Sequence, residues 1–307
     1  MKASERLARL KPWMLPIAMV CGLLFHNYID SVQFLAPYLI FAMLFITFCR
    51  IEPSEFRITS LAWAVVAVQI LGGIAAYFAL APLSDDIASG TMICILCPTA
   101  TAAPVITAML GGSIATLVAI SILSNIALAL IGPAFLALIG ESSGHALSTV
   151  DAFLAILSKV GPMIVGPIVL AFALMWIAPK AHSAIARRQS VSFYLWAVSL
   201  ILVVGRAVTF AMAEPPERVP EMIALAVMAG VACCAQFWIG RRLGHRLADP
   251  IAGAQGLGQK NTVLAVWLAT TYLNPICSIA PAAYIAWQNT INSLQLYKKQ
   301  KQTCQTS

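Results

Sequence analysis

Charged side chains are scarce in this chain, and their scarcity sets the class of protein. Only 10% of its 307 residues are Asp, Glu, Lys or Arg, whereas 60% are hydrophobic. A soluble domain carries about 25% charged residues, so a soluble helical protein of this size is disfavoured. The hydrophobic residues form repeated runs of about 20 residues, the length that crosses a bilayer as a helix. The composition therefore predicts an all-α polytopic membrane protein without an attached soluble domain.

Other absences exclude several kinds of function. The chain has no G-x-x-x-x-G-K-[ST] phosphate loop, which excludes ATP-driven transport by this chain alone. It has no basic-aromatic pattern typical of nucleic-acid binding, and its four histidines are scattered, so we predict neither a nucleic-acid partner nor a metal site. The single acidic pair, Asp85 and Asp86, lies in a predicted loop, so we predict no enzyme and no cofactor. Cys94 and Cys97 are interpreted as small apolar side chains.

The chain does have a regular series of apolar spans. We predict ten, at residues 12–29, 31–49, 60–82, 88–112, 114–140, 150–177, 191–213, 222–240, 249–274 and 275–297. If the spans alternate in direction, 15 of the 19 basic residues lie on one side of the membrane. The positive-inside rule makes that side cytoplasmic, together with both termini. We therefore expect an integral protein of a bacterial inner membrane, and its net charge of +7 reflects this topology.

Two of the spans contain signals that break a helix. Span four holds Pro98 and Pro104, and span nine holds glycines, amides and Lys260 within residues 256–261. Each break taken alone is compatible with a simple kink, but the two lie five spans apart, so two five-span units would have opposite orientations. Broken helices at matching places in two halves are typical of the central site of a transporter. The pattern predicts two inverted repeats, at residues 1–140 and 150–297.

Three motifs give the chain a resemblance to a known family. They are "CPTATAAPVIT" in span four, "GLGQKNTVLA" in span nine and "AWQNTINS" at residues 286–293. The chain resembles a divergent, bacterial-type member of the bile acid:sodium symporter family, whose motifs are C-P-x-x-T-A-S-N, E-x-G-x-Q-N-x-x-L-A and W-x-N-x-x-x-S. The resemblance implies a core domain from spans three to five and eight to ten, and a panel domain from spans one, two, six and seven. Helices four and nine would cross, and a small organic anion (of bile-acid, keto-acid or sulfonate type) would be carried by alternating access.

The chain departs from this family where sodium would bind. On the motif alignment, the family's Ser, Asn, Glu and Gln positions are Ala103, Pro104, Gly256 and Lys260. A buried ammonium would repel sodium by about 4 kcal/mol at about 4 Å and an effective dielectric of about 20. We therefore hypothesise that the Lys260 ammonium replaces a bound cation. Its candidate partners are Thr99, Thr101 and Ser121, and further candidates for the cation site are Ser124, Asn125 and Gln69.

Several questions stay open at this point. If Lys260 releases its proton in one state, transport could be coupled to protons; if it stays charged, the protein could be a uniporter or exchanger. The alternatives are a sodium symporter with a rearranged site, a passive facilitator, or a lysine that reaches the lipid headgroups. Candidate substrate residues are Gln259, Asn261, Gln288, Asn289, Lys159 and Arg206. Beyond the substrate and the bilayer no partner is predicted, and the pattern is compatible with a monomer.

Overall fold

The architecture is all-α. A computed structural model describes residues 14–49, 58–100, 103–142 and 149–306. Within these ranges the chain forms helices joined by short turns, with one isolated β-bridge and no longer strand. The helices are α1 (Met14–Leu24), α2 (His26–Ile29), α3 (Ala36–Phe48), α4 (Ser60–Leu80), α5 (Asp85–Leu96), α6 (Ala103–Leu110), α7 (Ile114–Ser142), α8 (Thr149–Ile177), α9 (Pro179–Ala186), α10 (Gln189–Ala213), α11 (Val219–Arg246), α12 (Pro250–Gly258), α13 (Thr262–Tyr272) and α14 (Ile279–Thr306). The predicted helical class is confirmed.

Five helices in the described part of the chain are long and apolar enough to cross a membrane. Their apolar segments are Ser31–Phe48, Ser60–Leu80, Ile114–Ala137, Phe153–Ile177 and Pro216–Arg246, and each falls on one predicted span. Large apolar side chains such as Leu71, Phe78 and Trp176 are exposed along these helices. Extensive exposed apolar surface is unfavourable in water but suits contact with lipid. These features agree with the predicted membrane class.

The ends of the helices are fixed by polar side chains that accept backbone hydrogen bonds. Before α5, Ser84 Oγ accepts from Ile87 N at 3.3 Å. Before α12, Asp249 Oδ1 accepts from Ala252 N at 2.8 Å, and Asp249 Oδ2 accepts from Ser113 N at 2.8 Å. Such caps satisfy N–H groups that have no partner inside the helix. Because Ser113 follows α6, the second oxygen also ties the end of α6 to the start of α12.

Charged residues mark two opposite ends of the bundle. At one end, Arg218 forms ion pairs with Asp86, Glu214 and Glu221, and Asn274 Nδ2 donates to Asp86 Oδ2 at 3.0 Å. We call this the acidic end. The 28 residues of α11 separate it from the other end by about 42 Å. The opposite end, which we call the basic end, carries Arg241, Arg242, Arg246, Lys298 and Lys299.

Helix contacts define two groups, which meet where α7 packs against α8 and also through α13. In one group α10 packs against α1 and α3, and α3 packs against α8; in the other, α4, α5, α7, α11, α12 and α14 contact one another. α13 contacts both groups, through α10 and α3 on one side and α14 on the other. The closest approach joins α11 to α12, where a Cβ on Gly240 or Gly253 would collide with the other glycine's carbonyl. Glycine is therefore required there, because the two backbones touch.

Candidate functional site

Two apolar runs are interrupted halfway by non-helical backbone. Residues 97–100 are non-helical after the end of α5, and residues 259–261 separate α12 from α13. Pro98 accounts for the first interruption, because it has no N–H to donate to the Cys94 carbonyl and its ring clashes with the preceding turn. The interruption agrees with the prediction that no unbroken helix passes through residues 98–104, and Pro104 itself lies within α6. Pro104 is the second residue of α6, where proline is tolerated because first-turn N–H groups have no helical partner anyway.

The two interruptions meet and pair with each other. Thr99 and Lys260 form an antiparallel bridge, the one non-helical pairing of this kind in the described residues. Backbone groups released by a broken helix must find partners when no water is available. Here each interruption supplies the partners of the other. The two bonds are Ala100 N to Gln259 O at 2.9 Å and Asn261 N to Pro98 O at 2.8 Å. We call the paired segments the crossover.

Side chains cap the last carbonyls of α5. Lys260 Nζ donates to Ile95 O at 2.8 Å, and Gln69 Nε2 donates to Leu96 O at 2.7 Å. The C-terminal end of a helix carries a partial negative charge of about half a unit, so it favours a nearby cation. The lysine of one interruption thus neutralises the end of the half-helix that leads into the other.

The end of α12 is capped in a matching way. Thr99 Oγ1 donates to Gly256 O at 2.7 Å, and Tyr284 OH donates to Gly258 O at 2.8 Å. Tyr284 in turn accepts from Gln236 Nε2 at 3.0 Å. Both half-helices that end at the crossover therefore have their terminal carbonyls satisfied by buried side chains, one of them from the opposite interruption in each case.

A buried polar network fixes the crossover to its neighbours. Ser124 Oγ donates to Gln69 Oε1 at 2.7 Å and accepts from Thr99 N at 3.3 Å. On the other side, Gln288 Oε1 accepts from Lys260 N at 2.9 Å. Gln69 and Ser124, two candidates for the cation site, are thus engaged with the backbone and with each other. The structure places these two side chains together, where they hydrogen-bond Leu96 O and Thr99 N.

Lys260 is almost completely buried. Its exposed fraction is 1%, and the thiols of Cys94, Cys97 and Cys233 are close enough to interact with it electrostatically. Within the described ranges no carboxylate forms an ion pair with it. Burial of an unpaired ammonium is costly, and the compensation visible here is the Ile95 carbonyl at the negative end of α5. The alternative in which Lys260 extends to the headgroups does not fit this burial.

Two of the predicted partners of Lys260 are seen in other hydrogen bonds. The Thr99 hydroxyl donates to Gly256 O, whereas Lys260 Nζ donates to Ile95 O. For Ser121 the structure shows the backbone carbonyl accepting from Asn125 Nδ2 at 2.8 Å. Thr101, the third predicted partner, lies outside the described residues. The ammonium was predicted to be held by carbonyls of the unwound segments, whereas the observed acceptor is Ile95 O in the last turn of α5, just before the first interruption.

Unpartnered polar atoms remain beside the crossover. Gln259 Oε1, Asn261 Nδ2 and Asn125 Oδ1 are buried and have no hydrogen-bond partner. Asn261 also caps α13, since its Oδ1 accepts from Leu264 N at 3.3 Å. Buried polar groups are nearly always satisfied, so such atoms are candidates for contact with a ligand or water. The N-terminal ends of α6 and α13, which are partially positive, adjoin the same segments.

Other predicted substrate residues lie away from the crossover. Lys159 is exposed on α8. Arg206 on α10 is half-buried, with its guanidinium 5.2 Å from the Phe210 ring and its Nε buried without a partner. Asn289 Nδ2 donates to Ile285 O at 2.6 Å within its own helix.

Sequence reasoning predicted Gln288 but missed Tyr284 and Asn292, which lie on the same face of α14. Tyr284, Gln288 and Asn292 are buried on one face of α14, at a spacing of four residues that repeats one helical face. Two of the three contact the crossover, whereas both amide atoms of Asn292 lack partners. A polar stripe at i, i+4, i+8 in an apolar span was the signal available in the sequence. The thiols around Lys260 had no such signal.

Comparison with known proteins does not assign the chain. No protein-family model matches it, and a search of curated proteins finds no match. The function is therefore argued from the crossover.

Proposed function

We propose that this protein is a secondary transporter of a small organic anion that works by alternating access and carries a tethered ammonium, Lys260, in place of a bound coupling cation. The observation that carries the proposal is the buried Lys260 ammonium, which donates to Ile95 O at 2.8 Å where two interrupted helices pair. Ionisable residues at membrane depth are rare and usually functional. The substrate class and the alternating-access mechanism are those implied by the resemblance to the bile acid:sodium symporter family.

The electrostatics of the crossover support the absence of sodium coupling. Sodium binds oxygen ligands, usually with some negative charge among them. At this site the Ile95 and Gly256 carbonyls are already occupied by donors from Lys260 and Thr99. A sodium ion would have to displace these donors and would approach a fixed positive charge. Lys260 supplies the same charge without an ion, so the crossover is neutralised in every step of a transport cycle in which the lysine stays protonated.

The positive charge at the crossover, which disfavours sodium, favours an anionic substrate. α6 and α13 both begin next to the crossover, and the partial positive charge at their N-terminal ends favours an anion there. The unpartnered Asn261 Nδ2 adds a donor beside the crossover. Broken helices that present their N-terminal ends to an anionic group are a known arrangement in secondary transporters. A carboxylate or sulfonate is the chemistry that these donors would recognise.

The helix arrangement supports the proposed architecture of ten spans in two inverted repeats. The two interrupted runs are antiparallel at their bridge and are capped in matching ways. The contact groups of α1, α3, α8 and α10, and of α4, α5, α7, α11, α12 and α14, agree with a panel and a core domain that meet along α7 and α8 and at α13. Alternating access would then be a movement of the panel against the core, with substrate between them. The basic end would be cytoplasmic under the positive-inside rule.

The test is uptake by the full chain in proteoliposomes, with sodium replaced by choline at fixed pH. Radiolabelled taurocholate and pyruvate serve as probes for the bile-acid, sulfonate and keto-acid classes. We expect concentrative uptake of at least one probe that persists in choline, and a response to an imposed pH gradient if Lys260 exchanges its proton. A strict sodium requirement would overturn the tethered-cation proposal. Uptake that equilibrates but never concentrates under any ion gradient would favour a passive facilitator.

A further inference from the structure

A second candidate site lies at the basic end, away from the crossover. A cavity of about 570 Å³ opens there between four helices. It lies at the C-terminal end of α6, the last turns of α11, the start of α12 and the C-terminal half of α14. Its lining residues are Leu110, Arg241, Ile251, Ile291, Leu294, Gln295, Lys298 and Lys299.

The polar half of this cavity is built for an anion. Three of its lining side chains are cationic, one is an amide, and none is a carboxylate. Gln295 Oε1 accepts from Nε2 of the fully buried Gln255 at 3.0 Å. Because its oxygen is engaged there, Gln295 keeps its amide N–H groups as donors. A guanidinium together with lysines and an amide donor is the set of groups that binds phosphate oxygens.

The other half of the cavity is apolar, which narrows the class of ligand. Leu110, Ile251 and Leu294 are among four aliphatic side chains in the lining. A free inorganic anion gains nothing from such a wall, whereas an amphiphile can place its charged group on the cations and its hydrocarbon on the aliphatic side chains. Basic pockets between transmembrane helices bind the headgroups of anionic lipids. An anionic lipid would therefore contact both the cationic and the aliphatic side chains of the lining.

We propose that this cavity binds the phosphodiester headgroup of an anionic phospholipid from the leaflet at the basic end. Arg241 and Lys298 would hold the phosphate, and the first acyl carbons would lie on the aliphatic wall. The ligand would touch both α6 and α12, the half-helices that connect the crossover to this end of the bundle. The site does not depend on the transport proposal, because none of its residues contacts Lys260.

The cavity is also constrained by the backbone of the turn that follows α6. Gly111 has a φ of +84°, and a Cβ at this position would lie 2.8 Å from Lys299 Nζ. Glycine is the residue that adopts this left-handed conformation at low cost. The ammonium of Lys299 is therefore seated at the C-terminal end of α6, where the helix dipole favours a cation. We assign the headgroup contact to Arg241 and Lys298 for this reason.

Native mass spectrometry of the full chain in detergent tests the proposal. The protein is titrated with phosphatidylglycerol or with phosphatidylcholine of the same acyl chains. The test variant is Arg241→Gln with Lys298→Gln, and the matched control is Arg187→Gln with Arg188→Gln, two exposed basic residues outside the cavity. We expect preferential retention of phosphatidylglycerol, reduced by about tenfold or more in the test variant and unchanged in the control.

Three outcomes would overturn the inference. The first is equal retention of the two lipids. The second is an equal loss of lipid binding in the control variant. The third is binding of inorganic phosphate without any binding of phosphatidylglycerol. The last outcome would identify a soluble anion as the ligand. Thermal unfolding of each variant in detergent shows that the variants are folded, so a loss of lipid binding reports on the cavity. Sodium and substrate are absent throughout, so failure here leaves the transport proposal untouched, and the reverse also holds.

Discussion

Replacing Lys260 with glutamine should create a site for a small cation. The ammonium lies 2.8 Å from Ile95 O. A sodium ion on the same carbonyl would lie about 4 Å from Nζ, where two unit charges repel by about 4 kcal/mol at an effective dielectric of about 20. Removing that repulsion strengthens cation affinity by about a thousandfold. The glutamine oxygen also adds a ligand of the kind that hard cations prefer. Sodium affinity should therefore rise from undetectable to the millimolar range.

Thermal unfolding in detergent provides the assay, because a ligand that binds the folded state raises the unfolding midpoint with its concentration. Wild type, Lys260→Gln and Lys260→Met are titrated with sodium chloride and, as an ionic-strength control, with choline chloride. The methionine variant removes the charge without supplying an oxygen, so we expect its sodium response to be smaller than that of the glutamine variant. A sodium-specific stabilisation of the wild type as large as that of Lys260→Gln would refute the reasoning.

Three further predictions concern the supports of the crossover and the acidic end. Gln69→Ala removes the hydrogen-bond partners of Leu96 O and Ser124 Oγ, so we expect the unfolding free energy to fall by about 2–4 kcal/mol. Denaturant titration measures this loss. A loss below about 0.5 kcal/mol, the size of a typical surface substitution, would contradict the role of Gln69 in the network. Tyr284→Phe leaves the Gly258 carbonyl unsatisfied and should cost about 1–3 kcal/mol in the same measurement. Arg218→Gln should cost about 1 kcal/mol or more, since three partly exposed carboxylates lose their partner, and the loss should shrink at high salt; a salt-independent loss would point to packing instead.

The composition predicted the class of protein well, because whether a chain folds in water or in a bilayer depends on the total solvation of its side chains. The low charge and the apolar runs leave no route to a soluble fold, and five predicted spans coincide with long apolar helices. The break near Pro98 was equally accessible, since proline lacks the donor that a helix needs at any depth. The number of spans and the repeat symmetry stay predictions, because two of the runs are divided into short half-helices.

The partners of the buried side chains could not be read from the sequence. Thr99 and Ser121 were reasonable partners for Lys260 by residue type, yet the lysine donates to the Ile95 carbonyl, and backbone carbonyls leave no signature in a sequence. Pro104 illustrates the same limit. Proline can interrupt a helix or lie in its first turn, and residue type alone does not tell which; in the structure Pro104 lies within α6 (Ala103–Leu110).

The sequence by itself determined that this chain belongs in a bilayer and that two of its helices would be interrupted. It also determined that a lysine would lie inside an apolar run, because each of these facts depends only on solvation and on local backbone chemistry. Tertiary structure alone decided that the two interruptions pair and that each half-helix is capped from the opposite segment. It also decided that the ammonium is buried at the end of α5. These contacts join residues more than 150 positions apart, and only packing can bring such residues within hydrogen-bond distance.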